Sequence, residues 1–279
     1  MVFHGSVSTL FDRRSVSDPV RSLFGHRVTM GAVLDWTDAP APPNSFMLTP
    51  FPEGWDRAVA VVAHPDDLEY GAASAIAGWT AAGKDIRYVL MTSGEAGIAT
   101  IEPKHCGPMR ELEQKAGAGA VGVTDVEFMG FPDGLLESGI PLRRALAGVI
   151  RRHRPDIVIS TNFRDTWGGQ SWNHVDHRAL GISLLDAVRD AANPWIFTDQ
   201  GEAWEGTQFC AFSNSPSSTH FAELTSDSLQ LGIESLQCHD AYLSALDGDM
   251  ADPASYLTDA ATSSGELAGV DLAVPFELL

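Results

Sequence analysis

Apolar runs of strand length alternate with amphipathic runs of helix length from Asp56 onward, and this alternation limits the folds open to the chain. Strands joined in this way by helices form a parallel sheet whose crossover helices cover both faces. The predicted strands are 57–63, 86–94, 126–130 and 155–161. The last of them, PDIVIST, is almost continuously apolar, as expected of a strand covered on both faces. We therefore predict an α/β fold.

Helical spacing fills the segments between these strands. The predicted helices are 69–83, which stops at Gly83, 108–121, 141–153, and a segment that begins near His174 and ends before Pro194. The order of elements predicts a Rossmann-like, mostly parallel sheet with helices on both faces.

A polar cluster follows each predicted strand. The clusters are HPDD (64–67), SGEAG (93–97), FPDG (131–134) and NHVDH (173–177). In open parallel sheets, ligands bind beyond the carboxyl ends of the strands, where the connecting loops meet. We expect the four clusters to line one cleft.

Two of these clusters have the spacing of metal ligands. His64 and Asp67 are three residues apart at the start of a predicted helix, and His174 and His177 repeat that spacing with Asp176 between them. Three nitrogen or oxygen ligands with one open position are typical of hydrolytic zinc sites. Each cluster alone fits a helix start equally well, because acidic side chains there complement the helix dipole. Their occurrence at equivalent places in the sheet favours a metal.

Composition narrows the range of partners. The formal charge is −19 and no basic run interrupts it, so nucleic acid and anionic membrane surfaces are poor partners. No apolar run reaches the roughly 18 residues of a membrane span. Cys106, Cys210 and Cys238 match neither a disulfide framework nor a thiolate zinc spacing, which predicts reduced thiols and a cytoplasmic protein.

Other chemistries fit the motifs less well. The first strand is not followed by G-x-G-x-x-G, and no G-x-S-x-G occurs, so dinucleotide binding and serine hydrolysis are disfavoured. No paired glutamates indicate a glycosidase, although carboxylates far apart in sequence leave that reading open.

Six motifs together resemble those of a known family. AHPDDLE, TSGEAG, RELE, GFPDG, PDIVIST and HVDHRALG occur within residues 56–185 in the order and approximate spacing of the LmbE-like or PIG-L family of zinc-dependent N-acetylglucosaminyl deacetylases. The later segment SLQCHDAYL is also similar to the C-terminal part of that family. The first and last of the six motifs are the specific ones.

The resemblance implies a role for each motif residue. His64, Asp67 and His177 would bind one Zn²⁺ ion, with Asp66 as general base toward the attacking water. Amide hydrolysis needs such a set, because the amide is a poor electrophile and the amine a poor leaving group.

The remaining roles concern the oxyanion and the substrate. His174, kept charged by Asp176, would stand beside the developing oxyanion and protonate the departing amine. The family also implies substrate-binding roles at three positions, Glu95, Arg110 and Asp133. A surface ion pair of Arg110 with Glu113 and a turn role for Asp133 are the alternatives.

The second metal motif departs from the family pattern at two positions. Val175 replaces a common proline, and Trp172 stands where some members have a tyrosine that assists at the oxyanion. An indole N–H donates a hydrogen bond but cannot act as an acid. Trp172, with Trp167 in the same loop, would instead stack on a sugar or an aglycone, or pack within its own loop.

These expectations define the predicted organisation and function. Residues 1–50 are an extended N-terminal segment, 51–250 the deacetylase domain with a smaller C-terminal substrate-covering region, and 251–279 an acidic tail with little structure. The predicted substrate is a small glucosamine conjugate that loses an N-acetyl or other N-acyl group, for example a natural-product or glycopeptide antibiotic precursor. An amidase of a larger thiol-sugar conjugate and a non-catalytic metal-containing binder are the alternatives. The aglycone and the oligomeric state stay open.

Overall fold

One eight-stranded sheet organises residues 48–279, which are the residues that the computed structural model describes. Along the chain its strands are β1 (Thr49–Pro50), β2 (Arg57–Val62), β3 (Asp85–Leu90), β4 (Val126–Phe128), β5 (Ile157–Thr161), β6 (Phe209–Ser213), β7 (His220–Glu223) and β8 (Ala273–Leu278). The order across the sheet is β1-β7-β8-β6-β5-β2-β3-β4. Only the two pairings made by β8 are antiparallel, so the prediction of a mostly parallel α/β sheet is confirmed.

Helices cover both faces of the sheet, as predicted. They are α1 (Asp67–Gly71), α2 (Ala73–Ala81), α3 (Pro103–Ala120), α4 (Ile140–His153), α5 (Val175–Ala192), α6 (Ser226–Gln237), α7 (Asp240–Leu243) and α8 (Pro253–Ala268). Side chains alternate along a strand. Ala60 and Val62 of β2 therefore pack in the core that includes α2 and α6, whereas Val59 and Val61 pack in the core that includes α4 and α5.

Successive strands lie first on one side of β2 and then on the other, although their direction stays the same. From β2 the chain proceeds through β3 to β4 on one side, and β5 then pairs with β2 on the other side, with Ala58 opposite Ile157. The loops that follow β2 and β5 leave the same edge of the sheet beside each other. A topological switch point of this kind is where open α/β sheets bind ligands.

The C-terminal part of the chain corrects the prediction of a weakly structured acidic tail over 251–279. Residues Pro253–Ala268 form α8, and β8 lies between β7 and β6 within the sheet. Phe276 is fully buried, and the Oε2 atom of Glu277 accepts a 2.6 Å hydrogen bond from Ser215. The short run AVPFEL becomes a strand because distant partners pair with it, and such pairing leaves little local signal.

The predicted N-terminal segment, 1–50, falls almost entirely outside the described residues. Thr49 and Pro50 pair in parallel with β7. In residues 48–279, no helix is both long enough and apolar enough to cross a bilayer.

Candidate metal centre and active site

Three predicted metal ligands meet beyond the carboxyl ends of β2 and β5. The Nδ1 atom of His64 lies 3.1 Å from Nε2 of His177, and Oδ1 of Asp67 lies 2.9 Å from that same Nε2. The third separation, from His64 Nδ1 to Asp67 Oδ2, is 3.6 Å. Zinc bonds of about 2.0–2.2 Å in a tetrahedron would place ligand atoms about 3.3–3.6 Å apart. The three side chains therefore form a candidate metal-binding group.

The ring nitrogens of His64 and His177 that point away from the centre have hydrogen-bond partners, and these partners orient the other nitrogen of each ring toward the centre. Nδ1 of His177 lies 2.9 Å from the amide oxygen of Asn173, and Nε2 of His64 lies 3.1 Å from Asp133 and 3.2 Å from Asp176. These acceptors favour a proton on the outer nitrogen of each ring. Two lone pairs then face each other across 3.1 Å, an arrangement that a shared cation stabilises.

The electrostatics of the centre also favour a cation. Burial opposes the charged form of His64, but the carboxylates of Asp67, Asp133 and Asp176 outweigh it and raise the pKa of His64 well above its usual value. Burial likewise opposes ionisation of Asp67, yet His177 and His64 lower its pKa well below the usual value. The centre thus attracts positive charge, which a divalent ion would supply in place of a proton. The donor set fits such an ion.

Asp66 is held beside this centre in a left-handed backbone conformation, with φ of 86°. Two residues one turn apart on α3 fix it: Arg110 donates to Oδ2 of Asp66 and to the carbonyl of Pro65, both at 2.6 Å, and Gln114 accepts from the Asp66 N–H at 3.0 Å. Gln114 in turn donates to Glu69 at 2.7 Å. Burial raises the pKa of Asp66 to about 6, although Arg110 opposes the shift.

The predicted partnership between His174 and Asp176 needs correction. The carboxylate of Asp176 accepts hydrogen bonds from the backbone N–H groups of Gly134 and Leu136 at 2.8 and 3.0 Å, and its other close partner is His64. His174 caps α5 by accepting the backbone N–H of Asp176 at its Nδ1. Burial and the neighbouring imidazoles lower the pKa of His174, although Asp176 opposes the shift, and this favours a neutral ring in the metal-free protein. The charged imidazole of the catalytic role stays a prediction.

Two predicted substrate residues instead support the centre. The Arg110 side chain lines the cavity but is 2% exposed, and its guanidinium is engaged by Asp66, Pro65 and Gly94. Glu95 accepts the N–H groups of Ser93 and Asp133. These hydrogen bonds indicate that both residues support the centre, and a substrate contact for either of them stays a prediction.

Of the other two predicted substrate residues, Asp133 lines the cavity and Trp172 does not. Asp133 lies 3.1 Å from His64. Trp172 is 75% exposed and lies outside the cavity lining, whereas Trp167 of the same loop lines it, with its ring 5.5 Å from that of His177. The prediction for Trp172 is corrected: Trp167 lies against the cavity, whereas the loop turns the indole of Trp172 toward solvent.

The centre opens into a cavity of about 830 Å³. Sequence reasoning missed several residues around the cavity and centre, namely Tyr70, Tyr242, Tyr256, Gln114 and Asn173. Four of them lie in or beside a quoted motif: Gln114 directly follows RELE, Asn173 directly precedes HVDHRALG, Tyr70 directly follows AHPDDLE, and Tyr242 lies within SLQCHDAYL. Tyr256 comes from a segment that no motif includes.

The fold and this centre define an α/β protein with a candidate divalent-metal site at the switch point of its sheet. The family model described as "PIG-L: GlcNAc-PI de-N-acetylase" matches residues 59–188, a range that contains the three candidate ligands. The chain therefore carries a PIG-L (LmbE-like) family domain, as the motifs predicted.

A curated relative agrees with this assignment, and solved structures share the fold. Diacetylchitobiose deacetylase from Thermococcus kodakarensis is 32% identical over 140 residues, which cover 50% of this chain and 51% of that protein. The chain thus spans about half the length of that relative. The structure of N,N'-diacetylchitobiose deacetylase from Pyrococcus horikoshii matches with a TM-score of 0.72 at 20% identity, over 81% of this chain and 84% of that one.

The same fold also occurs in a protein named for a different reaction. The 4-carboxy-2-hydroxymuconate hydratase from Pseudomonas putida matches with a TM-score of 0.66 at 19% identity, over 80% of this chain and 96% of that one. The fold therefore does not by itself select the reaction, which has to be argued from the site.

Proposed function

We propose that the protein is a zinc-dependent N-deacetylase that hydrolyses the acetamido group of an N-acetylglucosaminyl conjugate to acetate and the free amine. The observation that carries the proposal is the pairing of an open three-ligand group, His64, Asp67 and His177, with the buried carboxylate of Asp66 beside it. Structural zinc sites usually have four protein ligands, so three ligands favour catalysis over a purely structural metal. The deacetylase names of the relatives support the same reaction.

A zinc ion held by these ligands would act as a Lewis acid at the amide carbonyl and lower the pKa of water. Asp66 acts as general base: its carboxylate takes a proton from the attacking water and passes it to the amine nitrogen as the C–N bond breaks. Burial, which raises the pKa of Asp66 to about 6 in the metal-free protein, favours uptake of a proton by this carboxylate. Arg110 holds the carboxylate in place through its 2.6 Å contact.

His174 stabilises the developing negative charge as a neutral donor. Because its Nδ1 accepts the Asp176 N–H, the neutral ring carries its proton on Nε2. The ring lines the cavity, with its centroid 4.8 Å from that of His64. This arrangement replaces the charged imidazole of the sequence prediction with a hydrogen bond to the carbonyl oxygen. Loss of one such donor typically lowers kcat by about 10²–10³.

Acetate release from N-acetylglucosaminyl conjugates by the zinc-loaded protein tests the proposal. Asp66→Asn should retain one zinc per chain and lose about 10²–10⁴ in kcat, because it removes the base and spares the ligands. His177→Ala should lose both zinc and activity. Asp227→Asn, an exposed carboxylate in the first turn of α6, is the matched control and should behave as the unmodified protein.

Two results would contradict the proposal. Full turnover by Asp66→Asn would remove the assigned base. Absence of acetate release from every conjugate of a broad panel, with one zinc bound per chain, would exclude the reaction itself.

A further inference from the structure

Three of the four tyrosines in the sequence line the cavity described above. They are Tyr70 of α1, Tyr242 of α7 and Tyr256 of α8, here called the tyrosine wall. The fourth, Tyr88, is fully buried in the core of the sheet. The wall combines α1 with two helices of the C-terminal region, α7 and α8, and the proposed hydrolysis uses none of its three rings.

Contacts within the protein hold the wall in place. The rings of Tyr70 and Tyr256 pack edge to face, with centroids 5.4 Å apart, and the Tyr70 hydroxyl donates a 2.7 Å hydrogen bond to the carbonyl of Met250. The ring of Tyr242 covers the guanidinium of Arg110 at 4.2 Å. All three side chains are partly exposed, so ring surface remains available to a ligand in the cavity.

Apolar side chains continue the wall. Met250, which is 43% exposed, lines the cavity together with Pro216 and Pro275. Flat aromatic and proline surfaces of this kind bind the apolar face of a ring.

The charges around the cavity disfavour an anionic ligand. Among the described residues that line it, Arg110 is the only lysine or arginine, and its guanidinium is already bonded to Asp66 and to two backbone carbonyls. Three carboxylates, those of Asp66, Asp67 and Asp133, line the same space. A carboxylate or phosphate against the tyrosine wall would find no free lysine or arginine among the described lining residues, so its loss of hydration would not be compensated.

We propose that the tyrosine wall is an aglycone subsite that takes an uncharged ring and discriminates against carboxylate and phosphate groups. The assignment rests on the proposed function, which places the acetamido group at the metal centre. Stacking on one aromatic ring typically changes affinity by about three- to tenfold. The ring could belong to an aromatic group or to a second sugar, since both present a flat face without charge.

Binding of glucosaminides, which carry no acetyl group and undergo no turnover, tests the subsite by calorimetry on the zinc-loaded protein. The probes are the methyl, phenyl and 4-carboxyphenyl glucosaminides and the glucosamine disaccharide. We expect the phenyl compound, the disaccharide or both to bind about tenfold more tightly than the methyl compound. The 4-carboxyphenyl compound should bind no more tightly than the methyl compound, because its carboxylate cancels the affinity that the phenyl ring adds. The relative affinities of the phenyl compound and the disaccharide distinguish an aromatic aglycone from a sugar.

Variants test whether the higher affinity for the ring-containing compounds depends on the tyrosine wall. Tyr256→Leu should remove most of the preference over the methyl compound, whereas Tyr256→Phe should keep it. Trp195→Leu, at a residue that is 85% exposed and outside the cavity lining, is the control for loss of an aromatic side chain. Thermal melting of each variant verifies that it is folded.

The outcomes separate this inference from the proposed function. Equal affinities for all probes, tighter binding of the carboxylate, or a preference unaffected by Tyr256→Leu would overturn the subsite, even if N-acetyl glycosides are hydrolysed. A preference that depends on Tyr256, without acetate release from any N-acetyl glycoside, would support the subsite and contradict the deacetylase.

Discussion

The two halves of the described chain contribute different things to the same cavity. Residues 57–192 contain strands β2 to β5, all parallel, and supply the candidate metal ligands and Asp66. Residues 209–279 contain β6 to β8, with β8 antiparallel to both neighbours, and supply two of the three tyrosines of the wall. The chemical groups thus come from local motifs, whereas the recognition surface comes from segments that meet only after long-range packing.

The two regions also differ in how firmly their side chains are held. At the metal centre His64, Asp67 and His177 each have a polar partner outside the three-ligand group, and these partners, Asp176, the N–H of Ala63 and Asn173, are buried. In the tyrosine wall, edge-to-face packing and one hydrogen bond from Tyr70 provide most of the fixation. The difference indicates a precisely oriented reaction centre beside a more adaptable binding surface. Substitutions in the two halves should therefore affect different measured quantities.

The largest expected effect is on stability and lies in the C-terminal half. Phe276→Ala should lower the free energy of unfolding by about 3–5 kcal/mol, because this fully buried ring of β8 packs 5.1 Å from Phe51. Urea unfolding measures the change. Leu267→Ala, at a residue that is 72% exposed on α8, should stay within about 0.5 kcal/mol of the unmodified protein. A loss below about 1 kcal/mol for Phe276→Ala would show that β8 contributes little to the sheet.

The second largest expected effect is on kcat and concerns Gln114, in the region 57–192. Gln114→Leu should lower kcat about ten- to hundredfold at unchanged zinc content, since it leaves the buried Asp66 N–H and Glu69 carboxylate without their amide partner. Steady-state kinetics with metal analysis measures this. Gln230→Leu, an exposed glutamine of α6, is the control. A change confined to KM would argue that Gln114 does not position the base.

The third effect concerns the pKa of Asp66. Without metal its pKa should be about 6, because burial destabilises the carboxylate, and zinc should lower that pKa because a nearby cation stabilises the charged form. Arg110→Met should raise the pKa further, as it removes the positive charge that opposes the shift. Carbon-13 NMR titration of aspartate side chains, with Asp66→Asn for assignment, measures these values. A metal-free pKa near 4 would contradict the environment described for the base.

The smallest expected effect is on KM and distinguishes Trp172 from Trp167, two tryptophans of one loop. Trp172→Ala should change KM by less than about twofold, because the side chain is 75% exposed and outside the cavity lining. Trp167→Ala should change KM more, since its ring lines the cavity beside His177. Initial-rate measurements on both variants make the comparison. A larger effect from Trp172 would restore the original sequence prediction for that residue.

Much of the first half was predictable from sequence because its signals are local. Continuous apolar runs identified β2 and β5, and the motifs after them, one immediate and one at the end of a loop, contain His64, Asp67 and His177. Parallel topology then brings the carboxyl ends of these strands to one edge, so the meeting of the three side chains follows from the order of elements.

Hydrogen-bond partners inside the centre were not predictable in the same way. Asp176 lies two residues from His174 in sequence, yet its carboxylate points to His64 and to the backbone at Gly134. Arg110 matched a substrate position, yet it binds Asp66. Which partner a polar side chain takes depends on rotamers and on loops from other strands, and residue spacing contains neither.

By itself, the sequence determined the parallel α/β core, the place of the polar clusters at its strand ends and the ligand types of the candidate centre, because periodicity and short motifs express them within a few residues. Only the tertiary structure decided that the acidic C-terminal segment supplies β8, that three distant tyrosines share one wall, and that Trp167 rather than Trp172 faces the cavity. Strand pairing and cavity walls arise from contacts between residues far apart in the chain, whose free energy depends on the whole packed arrangement.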